Sequence, residues 1–262
     1  MIFLFHFLPL PLRLPVFYRV FARLPERRRD LYQDAPLALA PSVTMSLIPG
    51  DCGHRPIAYA GLYEWPVTRR VAALARTGGT LIDVGANAGY FSLLWSALHP
   101  ENCVEAFEAL PSNVALLEKN IHKNQLTNRI QVHSLALGKE DGTIQFSIGD
   151  CNQSGWGGIA VSGTPGAIEL PLRRLDSMNF NPIKPTTIKI DCEGADSWVI
   201  EGAVTLLGHP MVSDVFFEVN IPRQDALGIK ANASQEILHR LGFNCVQIGT
   251  QDWHGSKIRS QN

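Results

Sequence analysis

Apolar positions along this chain follow two rhythms in turn. From Pro66 onward, Val67, Val71, Leu74 and Ala75 recur at three- and four-residue spacing and stop at Gly78-Gly79, predicting a helix with a glycine terminator. The next run, Thr80 to Val84 (T-L-I-D-V), is short, apolar and closed by a turn signal, as in a strand buried on both faces. The rhythms then alternate. Helices are predicted over Tyr90 to Leu98, Ser112 to Asn120, Ala195 to Leu207 and Ser234 to Leu241; strands over Cys103 to Phe107, Ile130 to Leu137, Thr187 to Ile190 and Val212 to Val219. Such alternation predicts an α/β fold, a doubly wound and mostly parallel sheet with helices on both faces.

The alternation breaks once. Thr143 to Ile148 and Ile168 to Leu172 look like strands around a Gly- and Ser-rich stretch, Asp150 to Gly166, so a β-hairpin excursion is expected at about 139–180. Its loop offers Trp156 as a candidate lid over a ligand, with a surface hairpin as the alternative. The implied organisation is an arm over 1–60, a domain over 61–250 with that insert, and a tail over 251–262.

The arm has its own character. Met1 to Leu12 is almost wholly apolar, but Pro9, Pro11, Pro15 and Arg13 keep it short of the ~18–20 apolar residues that span a bilayer. No basic segment precedes it, so no signal peptide is predicted. Residues 1–30 carry six Arg against Glu26 and Asp30. Three readings stand: an arm packed on the domain, a peripheral membrane peg of apolar and Arg residues, or a tail. The whole chain has net charge −1, which argues against nucleic acid as a partner. Five Cys without a C-x-x-C pair suggest reduced thiols and a cytoplasmic setting, membrane-associated if the peg reading holds.

The strongest chemical signal is Leu81 to Gly89 (L-I-D-V-G-A-N-A-G), a strand, a glycine turn and a helix start. Gly85 and Gly89 permit a tight turn and close approach of a ligand. Their G-x-x-x-G spacing differs from the dinucleotide G-x-G-x-x-G, and Asn87 takes up room. Asp83, just before the turn, is expected to face a cationic ligand, and an ammonium or sulfonium group as in S-adenosylmethionine meets that requirement. Glu108 closes the second strand, where a ribose would be held, and Ala136 is placed beside the adenine.

These segments, together with F-E-A-L-P-S-N at 107–113, A-L-G at 136–138, I-K-I-D-C-E-G-A-D at 188–196 and F-E-V-N at 217–220, resemble the FkbM-type methyltransferases over about residues 60 to 245. The resemblance implies a Rossmann-like class I methyltransferase fold, S-adenosylmethionine as cofactor and mostly hydroxyl oxygens as acceptors. Two positions depart from the family: Ala109 where Pro is usual after the ribose acid, and Asp196 where Glu is usual.

Methyl transfer to an alcohol benefits from a base. Asp191 ends the fourth strand and Glu193 follows in the D-C-E-G turn; either is a candidate to take the proton or contact the sulfonium region, the alternative being that they cap the helix starting near Ala195. With Glu218 they form a lesser candidate for a hard cation, and the scattered His residues show no metal spacing, so no metal is expected. Tyr63 and Glu64 either close over the cofactor or pack. The expected reaction is O-methylation of a carbohydrate, glycolipid or natural product. The competing readings are a catalytically silent cofactor-binding module, an NAD-dependent oxidoreductase and a nucleic-acid methyltransferase.

Overall fold

A computed structural model describes residues 7–22, 28–147, 157–160 and 164–257. In chain order, helix α1 (Leu10–Val16) runs into a π-helical turn, Phe17–Phe21, and a small hairpin follows, β1 (Ala35–Leu37) with β2 (Ala40–Met45). Helices α2 (His54–Ala60) and α3 (Trp65–Ala75) lead into the repeating part: β3 (Thr80–Val84), α4 (Tyr90–Leu98), β4 (Cys103–Glu108), α5 (Pro111–Lys123) and β5 (Ile130–Ser134). The excursion contains β6 (Ala136–Leu137), β7 (Gly142–Ser147), β8 (Gly158–Ile159) and β9 (Ile168–Arg173). The chain returns through β10 (Thr186–Ile190), α6 (Asp196–Glu201), α7 (Val204–Gly208), β11 (Val212–Glu218), α8 (Ile221–Ala226), α9 (Ala233–Arg240), β12 (Phe243–Gln247) and β13 (Asp252–Lys257).

The central sheet has the order β12-β13-β11-β10-β3-β4-β5, with β11, β10, β3, β4 and β5 parallel and β13 antiparallel to both its neighbours. All five residues of β10 are buried, as expected of a strand covered on both sides. Period-two alternation sorts β3 between the two layers: Leu81 joins the core beneath α3, α4 and α5, whereas Ile82 and Val84 join the core with Val199, Ile200 and Leu238. From β3 the chain winds outward through β4 and β5; after the excursion it returns to the other side through β10 and β11. A crevice therefore opens beyond the carboxyl ends of β3 and β10, where such sheets bind ligands.

Several expectations change. The stretch 251–262 is not merely a tail, because Asp252–Lys257 forms β13, the second strand of the sheet, paired with β11 and with the edge strand β12. Residues 35–60 are not separate from the domain, since Leu37, Met45, Leu47 and Ile57 share one core with Leu93 and Leu94. The third strand divides into β5 and β6. The helix expected over 195–207 divides at Gly202, where an added Cβ would lie 2.0 Å from the Gly138 carbonyl oxygen.

The excursion is more than a hairpin: β7 and β9 pair antiparallel, with β6 and β8 completing a sheet ordered β6-β9-β7-β8. The Trp156 lid lies outside the described residues. The arm takes the packed form over its described part. Leu14, Phe17 and Phe21 are buried, the two Phe rings lie 5.8 and 5.7 Å from Tyr59 of α2, and the Arg55 guanidinium donates to the carbonyls of Phe21 (2.9 Å) and Ala22 (3.1 Å). Among the described residues no helix is long and apolar enough to cross a membrane.

Candidate active site

A cavity of about 160 Å³ occupies the crevice. Of the residues singled out in the sequence, Gly85, Asn87, Glu108, Ala136, Asp191 and Glu193 line it together. Gly85 holds φ +73°, and a Cβ there would sit 2.0 Å from the Asp191 carbonyl oxygen, so the neighbouring strand end by itself demands glycine at this point of the cavity wall. Gly89, unlike Gly85, lies off the cavity. It opens α4 at φ +94°, and a Cβ would meet Leu117 at 2.6 Å, which corrects its expected part in ligand approach.

Glu108, only 6% exposed, is held from two sides: the backbone N–H of Asn87 donates to Oε2 (2.8 Å) and that of Leu110 to Oε1 (2.9 Å). Burial raises its pKa, and these backbone donors oppose the rise. Phe107, Leu135, Ala136 and Leu137 add an apolar wall next to it. Glu105, the other acid of β4, pairs instead with His133 at 2.7 Å.

The opposite wall comes from the segment before the domain motif. His54 of α2 is buried; its Nδ1 accepts from the backbone N–H of Ile48 (3.1 Å), which leaves the proton on Nε2 facing Asn87 Oδ1 at 3.3 Å. Burial lowers its pKa against the pull of Asp51, so the ring is neutral. Asn87 itself sits at φ +48°. A histidine 33 residues upstream thus steadies the turn that also fixes Glu108.

Asp83 corrects the expectation of a cation-facing acid. It is fully buried and absent from the cavity wall; Ser92 Oγ donates to it at 2.6 Å, and it stands directly across from Lys189 on β10, with Lys189 Nζ at 4.0 Å. Strand alternation turns it toward α4 instead of the turn. Lys189 is the important residue that the sequence reading passed over. It is 4% exposed, 3.0 Å from Asp191 Oδ2, and 5.1 Å from the centre of the Phe91 ring. Burial disfavours its charge, yet Asp191, Asp83 and Glu64 outweigh that and raise its pKa. A lysine inside an otherwise apolar strand was the available signal, since a buried charge needs a counter-charge.

Glu193, in a left-handed conformation (φ +50°), has a pKa raised to about 7 by burial and by Asp191, with Arg223 and Lys189 opposing. Neither it nor Asp191 caps α6. The D-C-E-G turn is tied instead by Asp196, fully buried, which accepts from the backbone N–H groups of Glu218 (2.8 Å) and Cys192 (3.3 Å) and whose pKa burial lifts to about 7. Asp196 thus anchors β11 to the turn rather than reaching the cavity. Glu218 lines a smaller adjoining pocket with Glu64, Asp252 and Trp253; burial, then the charges around it, raise it to about 9, and Glu64 is raised to about 8. Among the described residues no three His, Cys, Asp or Glu are placed to hold a metal ion.

Residues 83–244, well over half of the chain, match the Methyltransferase FkbM domain. The chain belongs to the FkbM methyltransferase family. With that membership the oxidoreductase reading falls, and the seven-stranded sheet is the Rossmann-like class I methyltransferase fold. Curated relatives share short stretches with this FkbM methyltransferase. "Methyltransferase 1" of Beauveria bassiana is 28% identical over 67 residues, covering 26% of each chain. A tRNA wybutosine-synthesizing protein 2 homolog of Danio rerio is 30% identical over 134 residues, covering 44% of this chain and 32% of that protein. The chain therefore spans a third or less of the length of these relatives. Among solved structures, the SAH-bound Podospora anserina methyltransferase PaMTH1 is similar at 11% identity and TM-score 0.45, covering 73% of this chain and 78% of that one.

Proposed function

We propose that this methyltransferase uses S-adenosylmethionine and methylates a hydroxyl oxygen of a small-molecule, glycan or natural-product acceptor. One observation carries the reading: a single cavity holds a backbone-fixed carboxylate, Glu108, against an apolar wall, and a second carboxyl, Glu193, poised near neutral pH. The residues present fit the cofactor. Glu108 would take the ribose hydroxyls, and Phe107, Ala136 and Leu137 would flank the adenine. Asp191 would face the cationic amino-acid end in place of Asp83.

Bound S-adenosylmethionine would supply a methyl group already activated by its sulfonium. What the protein must add is alignment and a proton acceptor. Asp191 is engaged with the Lys189 ammonium at 3.0 Å; the Glu193 pKa, raised to about 7 against the pull of Arg223 and Lys189, would suit it to take the hydroxyl proton as the oxygen bonds to the methyl carbon. The bound cofactor would also supply the leaving group, a neutral thioether that keeps the C–S electron pair.

The test is transfer of labelled methyl from S-adenosylmethionine to hydroxylated sugars, glycolipids and phenols, with Glu193→Gln in parallel. Labelled ethers formed by the wild type and nearly lost in the variant support the proposal. Label on nitrogen, or equal turnover by the variant, contradicts it. Cofactor binding with no transfer to any acceptor class would favour the silent module.

A further inference from the structure

Helix α1 and the turn after it are apolar on both sides, and among the described residues one side packs on the fold while the other is exposed. Leu14, Phe17 and Phe21 face inward against α2. The outward side carries Pro11, Leu12, Pro15, Tyr18, Arg19 and Val20, with Leu12 50%, Tyr18 55% and Val20 39% exposed. A surface helix ordinarily turns a polar stripe to water; here Arg19 is the one charge among those six. We infer that this outward face docks on an anionic lipid surface.

Charge selects that occupant. Residues 1–30 carry a net +4, while the remaining 232 carry −5, so the segment that bears the apolar face is the basic part of the chain. Arg13 and Arg55 are spent on carbonyls inside the fold, but Arg19 and Arg29 are exposed. A lipid headgroup layer accommodates both features: leucine, valine and the tyrosine ring enter the acyl boundary while arginines meet phosphates. With no membrane-crossing helix among the described residues, the contact is peripheral.

The face is also close to the cavity. α2 packs Tyr59 against the arm and turns His54 and Ile57 into the cavity wall, so about one helix diameter, 10–12 Å, separates the two. Tyr18 lies near enough to Glu64 for that carboxyl to help raise its phenol, after burial. Docking would hold the cavity beside headgroups, which points to a lipid-linked hydroxyl as acceptor. That last step rests on the proposed methylation; the docking itself does not.

The experiment is co-sedimentation of the full chain with vesicles of phosphatidylcholine alone and of phosphatidylcholine with phosphatidylserine, at low and high salt. The wild type should pellet with the anionic vesicles, less with the zwitterionic ones, and be released by salt. Leu12→Asp combined with Tyr18→Asp should lower partitioning about a hundredfold, and Arg19→Glu about fivefold or more. Both variants should keep the wild-type melting temperature and S-adenosylhomocysteine affinity, showing an intact fold. A wild type that stays in the supernatant with anionic vesicles overturns the inference, as does a double variant that pellets normally. So does a lipid-independent dimer that the double variant abolishes, which would assign the face to self-association. Vesicle binding is read without turnover, so its failure and failure of the methylation reading are separate results.

Discussion

Replacing Lys189 with Met should be the most damaging single change near the cavity that leaves the backbone untouched. Its ammonium lies 3.0 Å from Asp191 and 4.0 Å from Asp83, and the side chain is 4% exposed. Methionine fills the volume and removes the charge, leaving Asp83 fully buried without its cation. Removing one partner of a buried pair costs about 3–5 kcal/mol, and for a chain of this size each kcal/mol lowers the melting temperature by about 2–4 °C. A fall of roughly 6–20 °C is expected in thermal unfolding followed by circular dichroism. The pH dependence is diagnostic. In the wild type the folded pKa of Lys189 is raised, so its contribution is complete below the ordinary lysine value and fades only in the alkaline range as pH rises through the folded value. In the variant the abandoned carboxyls gain from protonation, so the deficit should be large at pH 8 and shrink toward pH 5. Adding Asp83→Asn should then recover about 1–3 kcal/mol, since the buried charge has gone. A melting shift under about 2 °C, or an Asp83→Asn change that only adds its own loss, would refute the reasoning.

Three further outcomes are expected. Glu193→Gln should lower kcat about 10²–10⁴-fold and remove the rise of rate with pH centred near 7 that the wild type shows as this base deprotonates. His54→Ala should weaken S-adenosylhomocysteine binding by about 2- to 12-fold, the worth of one hydrogen bond, with kcat at saturation little changed. Because burial lowers the folded pKa of His54, the wild type should also lose stability as pH falls below the ordinary histidine value, and a denaturant titration should find that loss reduced in the variant. Ending the chain at Gln251 should abolish soluble folded protein, because β12 would lose β13, its neighbour in the sheet; a soluble, cooperatively melting product would contradict the placement of β13.

What the sequence made legible was local. Thr80–Val84 and Tyr90–Leu98 were bounded correctly from periodicity, because a strand buried on both faces and a helix between glycine and a polar loop each announce themselves within a few residues. β13 did not, since D-W-H-G-S-K has neither apolar alternation nor a strong strand composition, and only Gly255 of it is buried. It is held by pairing with β11 across five positions and by the stacking of His254 on Phe216 at 4.3 Å, which no local pattern encodes.

The site divides in the same way. Glu108 could be placed by its position at a strand tip. Asp83 adjoins the glycine turn in sequence but not in space, because strand alternation and a lysine on the next strand turn it away. The bond from His54 to Asn87 joins residues 33 apart and required the fold to be known.

The central claim is that the cavity beyond β3 and β10 holds the adenosyl cofactor through Glu108. It is tested most directly by calorimetric titration of the purified chain with S-adenosylhomocysteine, with NAD as control and Glu108→Ala and Asp83→Asn as variants. Micromolar binding by the wild type, no binding of NAD, loss of binding in Glu108→Ala and near-normal affinity in Asp83→Asn are expected. A wild type that does not bind the adenosyl compound, or a folded Glu108→Ala protein that binds it as tightly as the wild type, would contradict it.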